Sequence, residues 1–373
     1  MSSNTSTSIG ISMYSSLAER LRKSIREQEY LPGQLIGSEH ELARKQGISR
    51  VTVRKASELL VNEGLIERRP GKGLYVCASH PKTELVQVVV GNLRWEPCLQ
   101  VALGVKAASK TAGIQVQLYD AHGDADLDLE MIRQLPNSPA KGAVIVSFYS
   151  QALNRELYGL ESKGFPFVLV DQRLHDIDVP SVTSDNLAGG YQIGRMLIEK
   201  GHTRIGFIGD LIAGSVQARL EGFRNAFSDA SLPFDRSLVA DLLEDKDRLG
   251  DWSVRTEQRV REVMSNPNPP TAIFCSCDAV ARSAYRALTA MGLSIPGDIS
   301  VVGFDDDTLA EWVSPALTTI RQDFQAMGKA AMDLLCTRMA DPHAAVEHRV
   351  MPVELVERQS VVSTDSRHSA SVH

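Results

Sequence analysis

The sequence predicts an α/β protein in two parts, an N-terminal winged helix-turn-helix followed by a two-lobed, doubly wound α/β domain. Three observations carry that prediction. The chain has 373 residues, more than one ordinary core organises. Before residue 77 it shows closely spaced helix signals with two cap signatures and a glycine-rich hairpin. From residue 85 onward, short continuous apolar runs alternate with helical stretches, the pattern of parallel strands covered on both faces.

The first part is expected over residues 12–77. Leu17, Leu21 and Ile25 recur every four residues, with Glu19, Arg20, Arg22 and Lys23 on the other faces, so residues 13–28 should form an amphipathic helix. Leu31-Pro32-Gly33 breaks it. Ser38-Glu39-His40-Glu41 is a capping box that opens a second helix, and Gly47 closes that helix from a position suited to left-handed backbone. Ser49 caps a third helix running to Glu63, with Val53, Ala56 and Leu60 inward. Residues 65–69 and 74–76 read as strands around Pro70-Gly71-Lys72-Gly73, a hairpin wing with a basic tip.

The net charge of −6 hides an asymmetry. Residues 13–76 hold twelve Lys/Arg and eight Asp/Glu, a balance of +4 that leaves −10 for the rest. Arg50, Thr52 and Arg54 fall in the first turn and a half of the third helix, where a recognition helix reaches base edges and phosphates, and Arg69 and Lys72 place charge at the wing. On spacing alone, a small helical domain with an exposed hairpin accounts for the same features.

The run YLPGQLIGSEHELARKQGISRVTVRKASELLVNEGLIERRPGKGLYV resembles the winged-helix domain of GntR-type regulators, with P-G, S-E-x-x-L-A, G-[VI]-S-R-x-T-[VL]-R, L-x-x-x-G-[LI] and G-x-G-x-[FY]-V in order. The resemblance implies DNA contact by Ser49, Arg50, Thr52 and Arg54 and, in the wing, by Gly71 and Lys72. Ser38, His40 and Arg69 complete the expected DNA-facing set. His40 stands where the family usually carries a DNA-touching arginine, so a weaker or different contact is expected there.

In the second part, residues 86–90, 114–119, 143–146, 167–170, 205–208, 272–275 and 299–304 read as strands, with helices between them at 98–112, 126–135, 151–164, 187–200, 216–230, 254–266 and 279–291. So many units overfill one sheet, which points to two similar lobes with a cleft between them. Ligands bind such sheets beyond the carboxyl ends of strands, and Asn92, Asp120, Asp171, Asp210, Asp278 and Asp305 stand at those ends. One such residue alone is an ordinary helix cap or turn residue; the series suggests a polar cleft. Carboxylates there, with Arg219, Trp95 and Phe324, suit a polyol, since carboxylates accept from hydroxyls, a guanidinium donates and an aromatic face covers the ring. Arg219 paired internally to hold the lobes is the competing reading.

Residues 170–173 (VDQR), 181–210, 218–227 (ARLEGFRNAF), 295–306 (IPGDISVVGFDD) and 314–335 resemble the effector domain of LacI/GalR repressors, itself similar to periplasmic sugar-binding proteins. The resemblance implies effector contact by Asp171, Arg219, Asp305 and Phe324, with Asn92, Arg94 and Trp95 on the first strand-end loop and Asp278 after the 272–275 strand. Where the family commonly has Asn-Asp, this chain has Cys277-Asp278. The implied layout is a linker at 78–84, an effector and dimerisation domain at 85–363 and a disordered tail at 364–373; one lobe takes 85–183 plus 324–350 and the other 184–320 plus 351–363. A GntR-type head on a LacI-like sensor is the arrangement of the arabinose-responsive repressor group.

These features lead to the expectation of a cytoplasmic, homodimeric repressor of carbohydrate-utilisation genes, binding operator DNA and released by a small sugar. No membrane partner is expected, because no run of eighteen apolar residues occurs and the first dozen residues are polar. Neither a cofactor nor catalysis is expected: G-x-S-x-G, G-x-x-x-x-G-K-[ST], strand-linked G-x-G-x-x-G and H-E-x-x-H are all missing. The five cysteines are scattered, and Cys275 and Cys277 lack a second ligand cluster, so reduced buried thiols are expected. A sugar-binding transport or chemosensory protein is the alternative that the basic head disfavours.

Overall fold

The computed structural model describes residues 13–26, 29–77, 84–147, 151–174, 177–242 and 252–365. They fall into two compact units divided between residues 83 and 84. Nearly all of the expected linker and tail lies outside the described residues, as do positions 27 and 28 of the first expected helix.

The small unit runs α1 (Met13–Arg26), β1 (Leu35–Gly37), α2 (Glu39–Gln46), α3 (Arg50–Asn62), β2 (Ile66–Arg69) and β3 (Gly73–Val76). Leu17, Leu21, Ile25, Leu42, Val53, Ala56, Leu60, Ile66 and Leu74 form its buried core, so each helix meets the others through the apolar stripe its sequence announces. The caps are as the sequence specifies. Ser38 and Glu41 exchange both capping-box hydrogen bonds, Gly47 ends α2 at φ +64°, and the Ser49 hydroxyl accepts from the Thr52 amide. Antiparallel pairing orders the strands β1-β3-β2. The three residues of β1 are too few to show an alternating pattern and were not expected as a strand.

The large unit begins β4 (Leu85–Val90), α4 (Glu96–Ala112), β5 (Gln115–Asp120), α5 (Ala125–Gln134), β6 (Gly142–Val146), α6 (Gln151–Ser162), β7 (Phe167–Val170) and β8 (Ser181–Ser184). It continues α7 (Asn186–Glu199), β9 (Ile205–Gly209), α8 (Gly214–Asp229), β10 (Val239–Asp241), α9 (Trp252–Met264), β11 (Ala272–Cys275), α10 (Asp278–Ala290) and β12 (Ser300–Val302). It closes with β13 (Thr319–Arg321), α11 (Phe324–Ala340), β14 (His348–Met351) and β15 (Glu354–Val356).

Two all-parallel sheets result, one ordered β14-β8-β7-β6-β4-β5 and the other β10-β9-β11-β12. Strands β4, β6, β7, β9 and β11 are buried almost throughout, which is why they read as continuous apolar runs, whereas the edge strands β5, β10 and β14 are partly exposed. The chain passes between the two lobes after β8, after β13 and after β14. Helix α11 packs with α4 on the first sheet, where Met327, Ala331 and Leu335 join Val88, Val101 and Val144 in one core. Most of α11 is buried and its polar face is only a narrow stripe, Gln325, Lys329, Asp333 and Thr337, so its helical periodicity is weak in the sequence. Of the cysteines, Cys98, Cys275 and Cys277 are buried, whereas Cys77 and Cys336 are only half-buried.

Candidate nucleic-acid interface and ligand cleft

Helix α3 turns Val53, Ala56 and Leu60 into the small unit's core, and its remaining face presents Arg50, Val51, Arg54 and Lys55 to solvent. Arg54 pairs along the helix with Glu58 at 3.1 Å, a bond that leaves most of the guanidinium exposed. The hydroxyls of Ser49 and Thr52 lie 2.8 Å apart at the helix start. Val51 is 66% exposed, an apolar side chain in the first turn that charge-based reasoning passes over. At the wing, Lys72 donates its amide to Arg69 and is exposed, while Gly71 takes φ +70° with open space around it. Arg69 bonds Glu67 through Nε and Nη2 and stacks over the Tyr75 ring at 4.3 Å, so its charge is partly neutralised. Arg68 reaches Glu39 at 2.7 Å and ties β2 to the start of α2. His40 is exposed on α2 and Ser38 is committed to its capping box.

In the large unit the polar cluster around Arg219 is assembled by close helix contact. A Cβ on Gly190 would stand 1.9 Å from the carbonyl oxygen of Arg219, and one on Gly222 1.9 Å from that of Leu187. The glycines therefore let α7 and α8 touch, and α8 delivers the Arg219 side chain beside Asn186 at the start of α7. Arg219 Nε donates to Asn186 Oδ1 at 2.8 Å, Nη1 donates to the Ser276 carbonyl, and the guanidinium covers Phe304 at 3.8 Å. Asp305 Oδ1 lies 3.9 Å from Nη1 and accepts from Gln322 Nε2 at 2.7 Å. Asp171, at the carboxyl end of β7, is close enough to feel the Arg219 charge.

Asp171 and Asp305 adopt left-handed φ values of +59° and +126°, a strained state for residues with a Cβ and one found where function holds the backbone. Burial pushes both carboxyls above the usual range, and Arg219 offsets part of that rise. Asp171 Oδ1, Gln322 Oε1 and both amide atoms of Gln172 are buried without a hydrogen-bond partner.

Asp278 departs from expectation. It is 0% exposed; Oδ1 accepts from Thr319 Oγ1 at 2.7 Å and Oδ2 from the Asp307 amide at 2.9 Å. Burial raises it to about 7, with the Thr319 bond working the other way. As a correction, it ties loops beneath the cleft together and offers no free acceptor. Asn92 Oδ1 accepts from the Arg94 amide, Arg94 itself is exposed, and Trp95 and Phe324 both pack against the core of the first lobe. Asp120 accepts from Leu93 and His122 amides and serves the turn. Gln172, Asn186 and Gln322 were missed because an amide in a loop or at a helix start carries no charge signal and its burial depends on the folded surroundings.

An exposed basic helix on a winged fold, joined to a two-lobed α/β unit with a buried polar cluster, defines a class: the DNA-binding transcriptional regulators. Residues 13–76 match the family of bacterial regulatory proteins, gntR family, and residues 195–361 match the periplasmic binding protein-like domain. The chain is 29% identical over 334 residues to the arabinose metabolism transcriptional repressor of Geobacillus stearothermophilus, covering 86% of this chain and 90% of that one. It is 32% identical to the ribose operon repressor of Haemophilus influenzae, over 53% of this chain and 58% of that protein's length. A LacI-family transcriptional regulator from Enterococcus faecium with bound ribose superposes with a TM-score of 0.63 at 25% identity, covering 75% of this chain and 99% of that one. The protein is a transcriptional regulator whose DNA-binding domain is of the gntR family and whose large domain is periplasmic-binding-protein-like, with the fold of LacI-family regulators. Among the described residues no helix is long and apolar enough to cross a membrane, and no cluster of His, Cys, Asp and Glu is arranged to hold a metal.

Proposed function

We propose that the protein is a cytoplasmic, homodimeric repressor of carbohydrate-utilisation genes, released from operator DNA when a small sugar or sugar-derived effector fills the cleft. The observation that carries this reading is the buried Arg219 and Asp305 pair, with the half-buried Asp171 close enough to feel the Arg219 charge, in a chain that also bears an exposed basic helix. Arg50 and Arg54 read bases or phosphates from α3, with Ser49 and Thr52 at the helix start; Lys72, Gly71 and Arg69 meet the backbone from the wing, and His40 and Ser38 flank α2. Val51 suits apolar contact with a thymine methyl group. In the cleft, Asp171 and Asp305 accept from ligand hydroxyls and Arg219 donates to a ligand oxygen. Trp95 and Phe324 form the wall, and Asn92 and Arg94 the rim. Relatives named for arabinose and ribose metabolism support a sugar.

The test is titration of the protein against the DNA upstream of its own gene at two salt concentrations, with and without a panel of sugars. Binding that weakens steeply with salt and falls further with one sugar is expected. Binding that ignores every sugar would remove the effector half of the proposal.

A further inference from the structure

We infer that the cleft selects a hydrogen-donating ligand without negative charge, a neutral or amine-bearing sugar, and rejects sugar acids and sugar phosphates. The inference rests on the sugar-binding reading and narrows it to a chemical class.

The unpartnered atoms carry the first step. Three buried acceptors await a donor: Asp171 Oδ1, Gln172 Oε1 and Gln322 Oε1. The Gln322 amide is oriented by its own bond, since Nε2 donates to Asp305 and the oxygen is thereby left facing away from it. Gln322 is 5% exposed, so bulk water does not replace the partner of its oxygen; Asp171 and Gln172 are half-buried residues whose unpartnered atoms are themselves enclosed. Against three acceptors stands one unpartnered donor, Gln172 Nε2. A buried acceptor left unmade is costly, so the favoured ligand brings hydrogens.

Charge carries the second step. Two carboxyl groups, Asp171 and Asp305, stand against one guanidinium, whose Nε and Nη1 already donate to Asn186 and the Ser276 carbonyl, so that Nη2 is left for a ligand oxygen while the local balance of acidic over basic groups stays two to one. A sugar hydroxyl or ammonium donates into this arrangement. A carboxylate or phosphate brings no donor and sets a like charge against the two aspartates in a desolvated site, which acts as rejection. Arg94 and Arg173 are exposed and so cannot compensate a buried anion at full strength.

The experiment is calorimetric titration of the full chain at pH 8 with common pentoses and hexoses, each offered as the free sugar, the sugar acid and the terminal phosphate, with hexosamines added. Binding confined to free or amino sugars, with the matching acid and phosphate at least about a hundredfold weaker, is expected. Asp171→Asn, which keeps size and removes the charge, should weaken the free sugar at least about tenfold and narrow the gap to its acid. An acid or phosphate as the tightest ligand, with affinity lost in Arg94→Ala, would overturn the inference and leave the sugar site standing. Unchanged sugar affinity in Asp171→Asn also overturns it. No binding by any form brings down the sugar reading and the inference with it.

Discussion

Arg219 donates to Asn186 and to the Ser276 carbonyl, so its guanidinium is fixed in place without help from a ligand. The same residue is 3% exposed and faces Asp305. Arg219 therefore holds its lobe together, and the proposed ligand contact adds to that role instead of replacing it. Arg219→Ala should destabilise the large domain by about 3 kcal/mol, because Asp305 loses its buried counter-charge, and should also abolish sugar-dependent release; chemical denaturation and operator titration check the two effects. At the other end of the chain, Arg50 and Arg54 are exposed on α3. Alanine at either should cost about 1–3 kcal/mol against operator and little against unrelated DNA, whereas Lys72→Ala should weaken both alike and lower the salt slope by about one. Equal loss on both DNAs for Arg50→Ala would assign it to phosphate.

At the scale of elements, one bridge joins the lobes across the cleft mouth. Glu96, in the first turn of α4, accepts from the Thr308 amide at 2.9 Å and from its hydroxyl at 2.6 Å. Thr308 follows Asp307, whose carboxylate caps the short turn at Thr308–Ala310 and whose amide is held by Asp278. The bridge thus fastens the loop carrying Asp305 to the helix that follows the Asn92–Trp95 loop. Glu96→Gln should leave the fold intact and weaken ligand binding about fivefold, the effect of one charged hydrogen bond near the surface. Calorimetry on the variant decides it, and unchanged affinity would show that the bridge does not contribute to closure.

At the scale of the molecule, buried carboxyls make stability depend on pH. Burial raises Asp128, which accepts from Ser147, to about 6 and Asp278 to about 7. In the unfolded chain these groups titrate near 4. Between about 4 and 7 the folded state holds protons that the unfolded state has released, so stability falls as pH rises through that window. Asp128→Asn should match the parent at pH 4 and exceed it at pH 7.5 by up to about 3 kcal/mol. A parallel pH profile for the two proteins would show that Asp128 titrates normally. Assembly belongs to this scale too. Leu99 and Leu103 on α4 and Leu118 on the edge strand β5 are 40%, 42% and 42% exposed, apolar surface that suits a two-fold partner. Replacing Leu99 and Leu103 by Glu should convert a dimer to monomers in sedimentation and weaken operator binding.

The sequence by itself determined what is local. Helix caps at Ser38, Ser49 and Gly47 and the buried runs at residues 86–90 and 272–275 depend on neighbours within a few positions, and they appear where the sequence puts them. The strand-end series also marked Asp171 and Asp305, because a charge after an apolar run is visible without a structure. Tertiary structure decided what depends on distant partners. The strand β14 pairs with β8 across more than 160 residues of sequence, and α11 owes its place to a core that encloses most of its surface. The same structure separated Asp278, filled by Thr319 and Asp307, from Asp305, which keeps company with Arg219 and Gln322. Side-chain type is written in the sequence, whereas the number of hydrogen-bond partners a buried group finds is set only when remote segments pack around it.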